Sequence, residues 1–175
     1  MRVLIASVLI VFFDQFTKIQ IKDKFYLGES ISIWGDVLRL TYVENPGMAF
    51  GIAFAGPWFF TTFSFIASIV LVVFLFKLRE EKFISRLALA LILGGAVGNL
   101  IDRFLYGRVI DFLDLGLAGT RWPVFNIADS AVTVGMIFLI TMIIFDKDEN
   151  DKDEATIRPG DKNPADSEER DIWKK

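Results

Sequence analysis

Apolar stretches alternate with short polar ones along the chain, and four of the apolar stretches predict membrane-spanning helices. A helix needs about 20 residues to cross the hydrocarbon of a bilayer. The uncharged runs are 3–13, 51–76, 87–101 and 130–145. Three of them are too short unless polar residues at their ends also lie inside the membrane. We therefore predict spans at about 1–21, 54–77, 84–104 and 125–145.

The segments that connect and follow the spans have different patterns. Within the segment at about 22–51, VLRLTYV alternates apolar and polar residues, which is typical of a half-buried strand. Residues 147–175 are charged, contain proline and carry almost no apolar side chains, which predicts a disordered tail. We thus expect one membrane domain, 1–146, with an all-α four-helix bundle and a small β-sheet between its first two helices.

The distribution of basic residues predicts the orientation of the bundle. The short loop after the second span contains Lys77, Arg79, Lys82 and Arg86, which favours a cytoplasmic position. Both termini would then be cytoplasmic, and the sheet and the loop at 107–124 would be extracytoplasmic. The first apolar run is alternatively a signal peptide, but it ends in FFDQF without a small-residue cleavage site.

Composition narrows the chemistry. The chain is 53% hydrophobic, carries 18 Phe and has a mean hydropathy of +0.46. The net charge is −3, and no basic patch with interleaved aromatics supports nucleic-acid binding. The absence of His and Cys excludes a Ser-His-Asp triad, a Cys-His pair, thiolate or imidazole metal sites and disulfides. Acid–base chemistry near neutral pH then falls to carboxylates, Lys or Tyr, and we expect no metal or cofactor.

Polar residues within the predicted spans lie at a common depth. At a rise of about 1.5 Å per residue, Asp129 lies roughly 6 Å below the outer start of the fourth span, and Asn99 lies roughly 7 Å below the outer end of the third. Ionisable residues inside a membrane indicate function by default. The predicted layer contains Asp14, Asn99, Asp102, Arg103, Asn126 and Asp129. Asp111, in the following loop, lies on the same side.

Some of these residues also have a purely structural interpretation. Asp14 and Lys18 are spaced i, i+4 and can form an intrahelical ion pair. Asn126 can cap the N-terminus of the fourth span. Asp102 and Arg103 can be interfacial charges that extend toward water.

Three further features of the sequence are interpreted from their local context. The small residues of GGAVG, at 94–98, match the pattern for close helix packing in membranes. Asp114, three positions after Asp111, is predicted to be a solvated loop charge. Asp129 can complement the helix N-terminus, but Asn126 already supplies a cap, so we interpret Asp129 as a functional residue.

Paired carboxylates are the favoured chemistry. Asp111 and Asp129 are 18 positions apart, and the loop between them is long enough to bring the side chains together. Two carboxyls about 3 Å apart share a proton, as in aspartic peptidases. Asp14 with Asp129 is an equally compatible pair. The alternatives are a proton-coupled carrier with Asp14, Asp102 and Asp129 as a relay, although no internal repeat supports one, and a non-catalytic membrane scaffold.

Five motifs resemble those of the lipoprotein signal peptidase (signal peptidase II) family. In order they are DQFTK at 14–18, ENPGMAFG at 44–51, GGAVGNLIDR at 94–103, GRVIDF at 107–112 and FNIADS at 125–130. The resemblance runs from the first span to the fourth, with no departure at a motif position. It implies an intramembrane aspartic peptidase that removes signal peptides from diacylglyceryl-modified prolipoproteins, cleaving on the N-terminal side of the lipidated Cys.

The resemblance also implies residue roles and partners. Asp111 and Asp129 would form the catalytic dyad. The residues that would bind substrate or support the site are Asp14, Lys18, Asn45, Gly47, Asn99, Asp102, Arg103 and Asn126. The implied partners are diacylated prolipoproteins, membrane lipid and cyclic peptide inhibitors such as globomycin. We expect a monomer in the bacterial cytoplasmic (inner) membrane, with the active site near its extracytoplasmic face.

Overall fold

In the part of the chain that the structure describes, four helices are long and apolar enough to cross a membrane. The computed structural model describes residues 2–47 and 57–156, with the backbone alone for 57 and 146–156. Contacts divide the chain into two units, the first ending at Leu139 and the second beginning at Ile140. In the described residues, the candidate spans are Leu4–Lys24, Trp58–Lys77, Phe83–Tyr106 and Ile127–Phe145. The number and order of the spans predicted from hydropathy are confirmed.

The helix ends differ from the predicted ones in informative ways. The helices are α1 (Leu4–Lys24), α2 (Pro57–Lys77), α3 (Phe83–Tyr106) and α4 (Ile127–Thr156). Residues 22–24, assigned to the sheet segment from sequence, thus belong to α1, whereas 48–51 and 54–56 lie outside the described residues. The helix α3 stops where Gly107 adopts a left-handed φ of 71°, the usual C-terminal cap.

The largest difference is at the C-terminal end of α4. The predicted tail begins at 147, but the helix continues to Thr156. Residues 146–156 are strongly charged and contain neither Gly nor Pro, so no residue there interrupts the helical backbone. The rest of the predicted tail, 157–175, lies outside the described residues.

The sheet has four antiparallel strands and draws on two loops. The strands are β1 (Ser30–Trp34), β2 (Leu38–Asn45), β3 (Val109–Leu117) and β4 (Thr120–Arg121), in the order β1-β2-β3-β4. The prediction that the sheet lies wholly between the first two helices is therefore corrected, because β3 and β4 follow α3. The sequence did not predict β3 as a strand because β3 contains two aspartates, and aspartate is depleted in strands.

The pairing of β2 with β3 positions the first candidate site residues. In this register Val43 lies opposite Asp111, and Asn45 lies opposite Val109. Beneath the strands, Ile21 of α1 packs in one apolar cluster with Tyr42, Ile110 and Phe112. This cluster attaches the sheet to the C-terminal end of α1, and it brings β3 into contact with that helix.

The outer surface of the helices is apolar, and a group of polar side chains is buried between them. Phe12, Phe63 and Ile137 are 59%, 65% and 55% exposed on its outer surface, as expected for side chains that face hydrocarbon. Asp14 and Lys18 are 0% and 1% exposed, and their atoms Oδ2 and Nζ lie 2.8 Å apart. The predicted intrahelical pair is confirmed.

Glycines of α3 allow its neighbours to approach closely. A Cβ at Gly98 would lie 2.7 Å from Oδ2 of Asp14 and 3.2 Å from Cβ of Ala128. A Cβ at Gly94 would lie 3.0 Å from the backbone of Ser7. Larger residues would therefore push α1 and α4 away from α3, and the packing interpretation of GGAVG is confirmed.

Candidate active site

The N-terminus of α4 is closed by two side chains that cap each other's backbone. Oδ1 of Asn126 accepts the N–H of Asp129 at 2.9 Å, and Oδ2 of Asp129 accepts the N–H of Asn126 at 3.2 Å. This is a capping box, in which two orphan donors of the helix are satisfied reciprocally. The predicted cap at Asn126 is confirmed, and Asp129 shares the capping role. The other oxygen of Asp129, Oδ1, accepts Nδ2 of Asn99 at 2.7 Å.

Asp111 lies on β3 with 2% of its surface exposed, and both of its oxygens accept amide donors. Nδ2 of Asn126 donates to Oδ1 at 2.6 Å, and Nδ2 of Asn45 donates to Oδ2 at 3.1 Å. The oxygen of Asn45 accepts the N–H of Gly47 at 3.0 Å, which fixes the orientation of the amide. Gly47 has a φ of 105°, a conformation that glycine adopts readily.

Asn126 connects the two aspartates. Its amide nitrogen donates to Asp111 and to Oδ1 of Asn99 at 3.1 Å, while its oxygen receives the N–H of Asp129. In the structure, Asp111 and Asp129 thus both form hydrogen bonds with the side chain of Asn126. Asp14 instead pairs with a lysine, so the alternative pairing of Asp14 with Asp129 has no geometric support.

The environment of Asp111 favours its protonated form. Burial raises the pKa of Asp111, and the charge of Asp129 raises it further, to about 7. The hydrogen bonds from Asn45 and Asn126 act in the opposite direction, because they stabilise the ionised form. A carboxyl that keeps its proton near neutral pH beside a second carboxylate is suited to acid–base catalysis.

A buried ion triad lies directly behind the pair. Nζ of Lys18 lies 2.8 Å from Oδ2 of Asp14 and 2.8 Å from Oδ2 of Asp102, and it donates to Oδ1 of Asn99 at 3.1 Å. Asp102 is 1% exposed. The interpretation of Asp102 as an interfacial charge reaching toward water is therefore wrong, because its partner Lys18 lies inside the bundle.

The two carboxylates of the triad also hold the backbone next to each candidate aspartate. Oδ1 of Asp14 accepts the N–H of Ala128 at 2.9 Å, and Oδ2 of Asp102 accepts the N–H of Ile110 at 3.0 Å. These two residues immediately precede Asp129 and Asp111 in the chain. One buried charge cluster therefore fixes the backbone immediately before both Asp111 and Asp129.

Gln15 joins this cluster although the sequence did not single it out. Its Nε2 donates to Oδ1 of Asp102 at 2.9 Å and to the carbonyl of Gly98 at 3.1 Å. Gln15 belongs to the DQFTK motif, so that motif held the available signal. Arg103 is half-buried, and its Nη1 donates to Oγ of Ser64 at 3.3 Å and to the carbonyl of Asn99 at 3.5 Å.

A groove of about 680 Å³ opens beside Asp129. Its lining residues are Asn45, Leu115, Trp122, Pro123, Val124, Phe125, Asp129, Ser130, Thr133 and Val134. Residues 122–124 were not predicted to belong to the site, because a short loop carries no periodic signal, whereas Phe125 opens the FNIADS motif. Among the side chains that the structure describes, within residues 2–47 and 58–145, no group of three or more acidic residues is arranged to hold a metal ion.

Comparison with known proteins shows the family to which the chain belongs. The family model for signal peptidase (SPase) II matches residues 6–145. The chain belongs to the signal peptidase II family. It is 40% identical over 146 residues to the lipoprotein signal peptidase of Syntrophus aciditrophicus (strain SB), covering 81% of this chain and 91% of that protein. It is 44% identical over 147 residues to that of Brevibacillus brevis (strain 47), covering 84% and 97%.

Two solved structures have the same fold as this signal peptidase II family member. Both are bacterial membrane enzymes determined by the in meso method, at 2.3 Å and 1.9 Å resolution. The first has a TM-score of 0.71 and 31% identity, covering 93% of this chain and 94% of that chain. The second has a TM-score of 0.70 and 35% identity, covering 81% and 92%.

Family membership confirms the activity indicated by the five motifs. Signal peptidase II enzymes are aspartic peptidases that remove signal peptides from prolipoproteins. The protein is therefore a multi-pass bacterial membrane peptidase with prolipoprotein substrates. The carrier hypothesis is not favoured by any of these similarities.

Proposed function

We propose that Asp111 and Asp129 form the catalytic dyad that hydrolyses diacylglyceryl-modified prolipoproteins on the N-terminal side of the lipidated Cys. The observation that carries the proposal is the bridging position of Asn126. Its amide nitrogen donates to Asp111, and its oxygen accepts the N–H of Asp129. A single side chain thereby sets the relative position of the two carboxyls.

The proposed mechanism divides the acid and base roles by environment. Asp129 lies in the first turn of α4, where the positive end of the helix dipole stabilises a negative charge. It takes a proton from water as the water oxygen attacks the scissile carbonyl carbon. Asp111 donates its proton to the carbonyl oxygen, which gives a tetrahedral diol. Asp129 then returns a proton to the leaving nitrogen as the C–N bond breaks, and Asp111 recovers its proton from the diol.

The test of the dyad is cleavage of a diacylated prolipoprotein in detergent by Asp111→Asn and Asp129→Asn. Each variant should lose about 10³-fold or more in kcat, because an amide neither accepts nor supplies the required proton. Asp23→Asn is the matched control, since Asp23 is exposed at the end of α1. Thermal unfolding should show that all three variants fold. Near-normal turnover by either dyad variant would falsify the assignment.

The surrounding polar residues are proposed to position the dyad. The triad of Asp14, Lys18 and Asp102 anchors the backbone before each aspartate, as the contacts to Ala128 and Ile110 indicate. Preorganisation of this kind limits the movement of reacting groups.

The remaining predicted residues are assigned by what they contact. Asn45, Asn99 and Asn126 donate directly to the dyad. Arg103 lies beside Asn99 and is proposed to supply a positive charge that stabilises the developing oxyanion. Gly47 is required because any side chain there would collide with the ring of Phe60 in α2.

We further propose that the sheet and the dyad face the extracytoplasmic side, with both termini cytoplasmic. The basic loop between α2 and α3 supports this orientation. Because the chain has no Cys, single cysteines can report accessibility without background. Ser32→Cys should react with a membrane-impermeant maleimide in intact cells, and Glu81→Cys should react only after permeabilisation. The reverse pattern would invert the topology.

The groove beside Asp129 is the proposed site of substrate and inhibitor binding. Its apolar wall and its position next to a carboxylate suit an apolar peptide that enters from the lipid. The enzyme is proposed to act as a monomer, and light scattering in detergent should give the mass of one chain. Cyclic peptides such as globomycin are proposed to occupy the same groove as the substrate. Globomycin should then raise the apparent KM for the prolipoprotein. Inhibition that does not respond to substrate concentration would contradict the shared groove.

A further inference from the structure

Asp114 is a buried charge that the dyad does not use. It is 6% exposed, which overturns its interpretation as a solvated loop residue. Its Oδ1 accepts Nε of Arg121 at 2.7 Å, and its Oδ2 accepts the hydroxyl of Thr41 at 2.8 Å. Nη2 of Arg121 also donates to the carbonyl oxygen of Asp114 at 3.0 Å. Paired contacts of this kind give an arginine a defined geometry that a lysine cannot reproduce.

The same guanidinium also reaches the far end of the sheet. Nη1 of Arg121 donates to the carbonyl of Asp36, in the turn between β1 and β2, at 3.1 Å. A Cβ at Gly116 would lie 2.6 Å from this Nη1, so glycine leaves room for the arginine to cross the strand. One side chain thus joins β3, β4 and the β1–β2 turn.

Arg121 is followed directly by the wall of the groove, Trp122–Phe125. The wall is attached to β3 at both ends. The N–H of Trp122 donates to the carbonyl of Leu115 at 2.8 Å, and the N–H of Phe125 donates to that of Leu113 at 3.0 Å. Trp122 is 71% exposed, so its ring is available to a ligand in the groove.

We propose that the Asp114–Arg121 pair is a positioning device that sets the wall Trp122–Phe125 and thereby determines affinity for the apolar signal peptide. The inference rests on the proposed function, in which the groove beside Asp129 receives the prolipoprotein. The pair contacts neither the dyad nor the reacting bond. Its loss therefore weakens binding of ground state and transition state alike, which raises KM and leaves kcat unchanged.

The pair is charged under assay conditions. Burial raises the pKa of Asp114, but hydrogen bonds from Arg121 and Thr41 hold that pKa below its usual range. Removing one partner of such a pair is costly mainly because the other charge is left buried without a counter-charge. Asp114→Asn and Arg121→Met should accordingly affect the wall in the same direction.

The first experiment is steady-state cleavage of a diacylated prolipoprotein by Asp114→Asn and Arg121→Met. Each should raise KM about 10-fold, as expected from loss of one charged hydrogen-bonded pair, with kcat within about twofold. Arg79→Met is the matched control, because Arg79 forms an exposed ion pair with Glu80 in the loop between α2 and α3, away from the sheet. Arg79→Met should leave both constants unchanged. A folded Arg121→Met variant with unchanged KM would overturn the proposal.

A double-mutant cycle separates the wall from a general loss of structure. Trp122→Ala should also raise KM, and Arg121→Met should add little in that background, because both act on one wall. Strictly additive effects on KM would overturn the proposal. If Arg121→Met fails to fold, Arg121→Lys replaces it, and an intermediate KM supports the pair while an unchanged KM overturns it.

The outcome is distinguishable from failure of the dyad. If Asp129→Asn retains turnover, the proposed function fails, whatever the value of KM. If Asp129→Asn is inactive while Arg121→Met has an unchanged KM, the dyad stands and only the role of the wall is refuted.

Discussion

Protonation of Asp111 makes the stability of the folded protein depend on pH. The folded state raises the pKa of Asp111 from 3.8 to about 7, chiefly through burial. Between these values, the folded protein holds a proton that the unfolded chain has released. The contribution of Asp111 to stability is therefore greatest at low pH and is lost as pH rises through about 7.

The size of the effect follows from the shift. Each pH unit within the window changes the free energy of unfolding by roughly 1.4 kcal/mol. The slope flattens close to 7, so the contribution of Asp111 falls by about 2 kcal/mol between pH 5 and pH 7. Because Asp111 and Asp129 interact, the change belongs to the pair.

The assay compares the wild type with Asp111→Asn by denaturant titration in a mild detergent at a series of pH values. Asparagine does not titrate, and its altered hydrogen bonding adds an offset that is constant with pH. Other titrating groups are common to both proteins and cancel in the difference. The free energy of unfolding of the wild type should fall by about 2 kcal/mol relative to the variant from pH 5 to pH 7.

A matched substitution tests whether the effect belongs to Asp111. The pKa of Asp114 is held below its usual value, so Asp114 is ionised in both states above pH 5. The difference between the wild type and Asp114→Asn should therefore be flat across the same window. A flat difference for Asp111→Asn as well would refute the retained proton and the acid role assigned to it.

Three further predictions concern the triad, the helix contacts and the rate. Lys18→Met should lower the free energy of unfolding by about 3–5 kcal/mol, because Asp14 and Asp102 keep buried charges without a cation; an effect below about 1 kcal/mol would contradict this. Gly98→Ala should cost about 1–3 kcal/mol through overpacking against Asp14, measured by the same titration; an unchanged midpoint would refute the contact. The pH profile of kcat/KM should decline above about 7 as Asp111 loses its proton, whereas a rate that is constant into the alkaline range would argue against the mechanism.

Local signals in the sequence were sufficient for parts of the site. The cap at Asn126 and the pair of Asp14 with Lys18 involve residues three or four positions apart, so their spacing along one helix predicts them. The five motifs identified the family and every residue that contacts the dyad through a side-chain amide.

Other features had no local signal. Strand β3 was missed because its aspartates are unusual in a strand, and Asp114 was misjudged because its partner Arg121 approaches only when the hairpin closes. The wall Trp122–Phe125 acquires its role from the groove, and the groove exists only after β3 and α4 are in place.

The sequence by itself determined the four spans, the helix cap and the chemical inventory of carboxylates and amides without His or Cys. These depend on hydropathy, on spacing within one helix and on composition, which are local properties. Only the tertiary structure decided that Asp111 and Asp129 meet on Asn126, and that the triad anchors the residue before each aspartate. The contact of Asn126 with Asp111 joins positions 15 residues apart, and that of Asp14 with Ala128 joins positions 114 residues apart. Both depend on strand register or on the close approach of α1, α3 and α4.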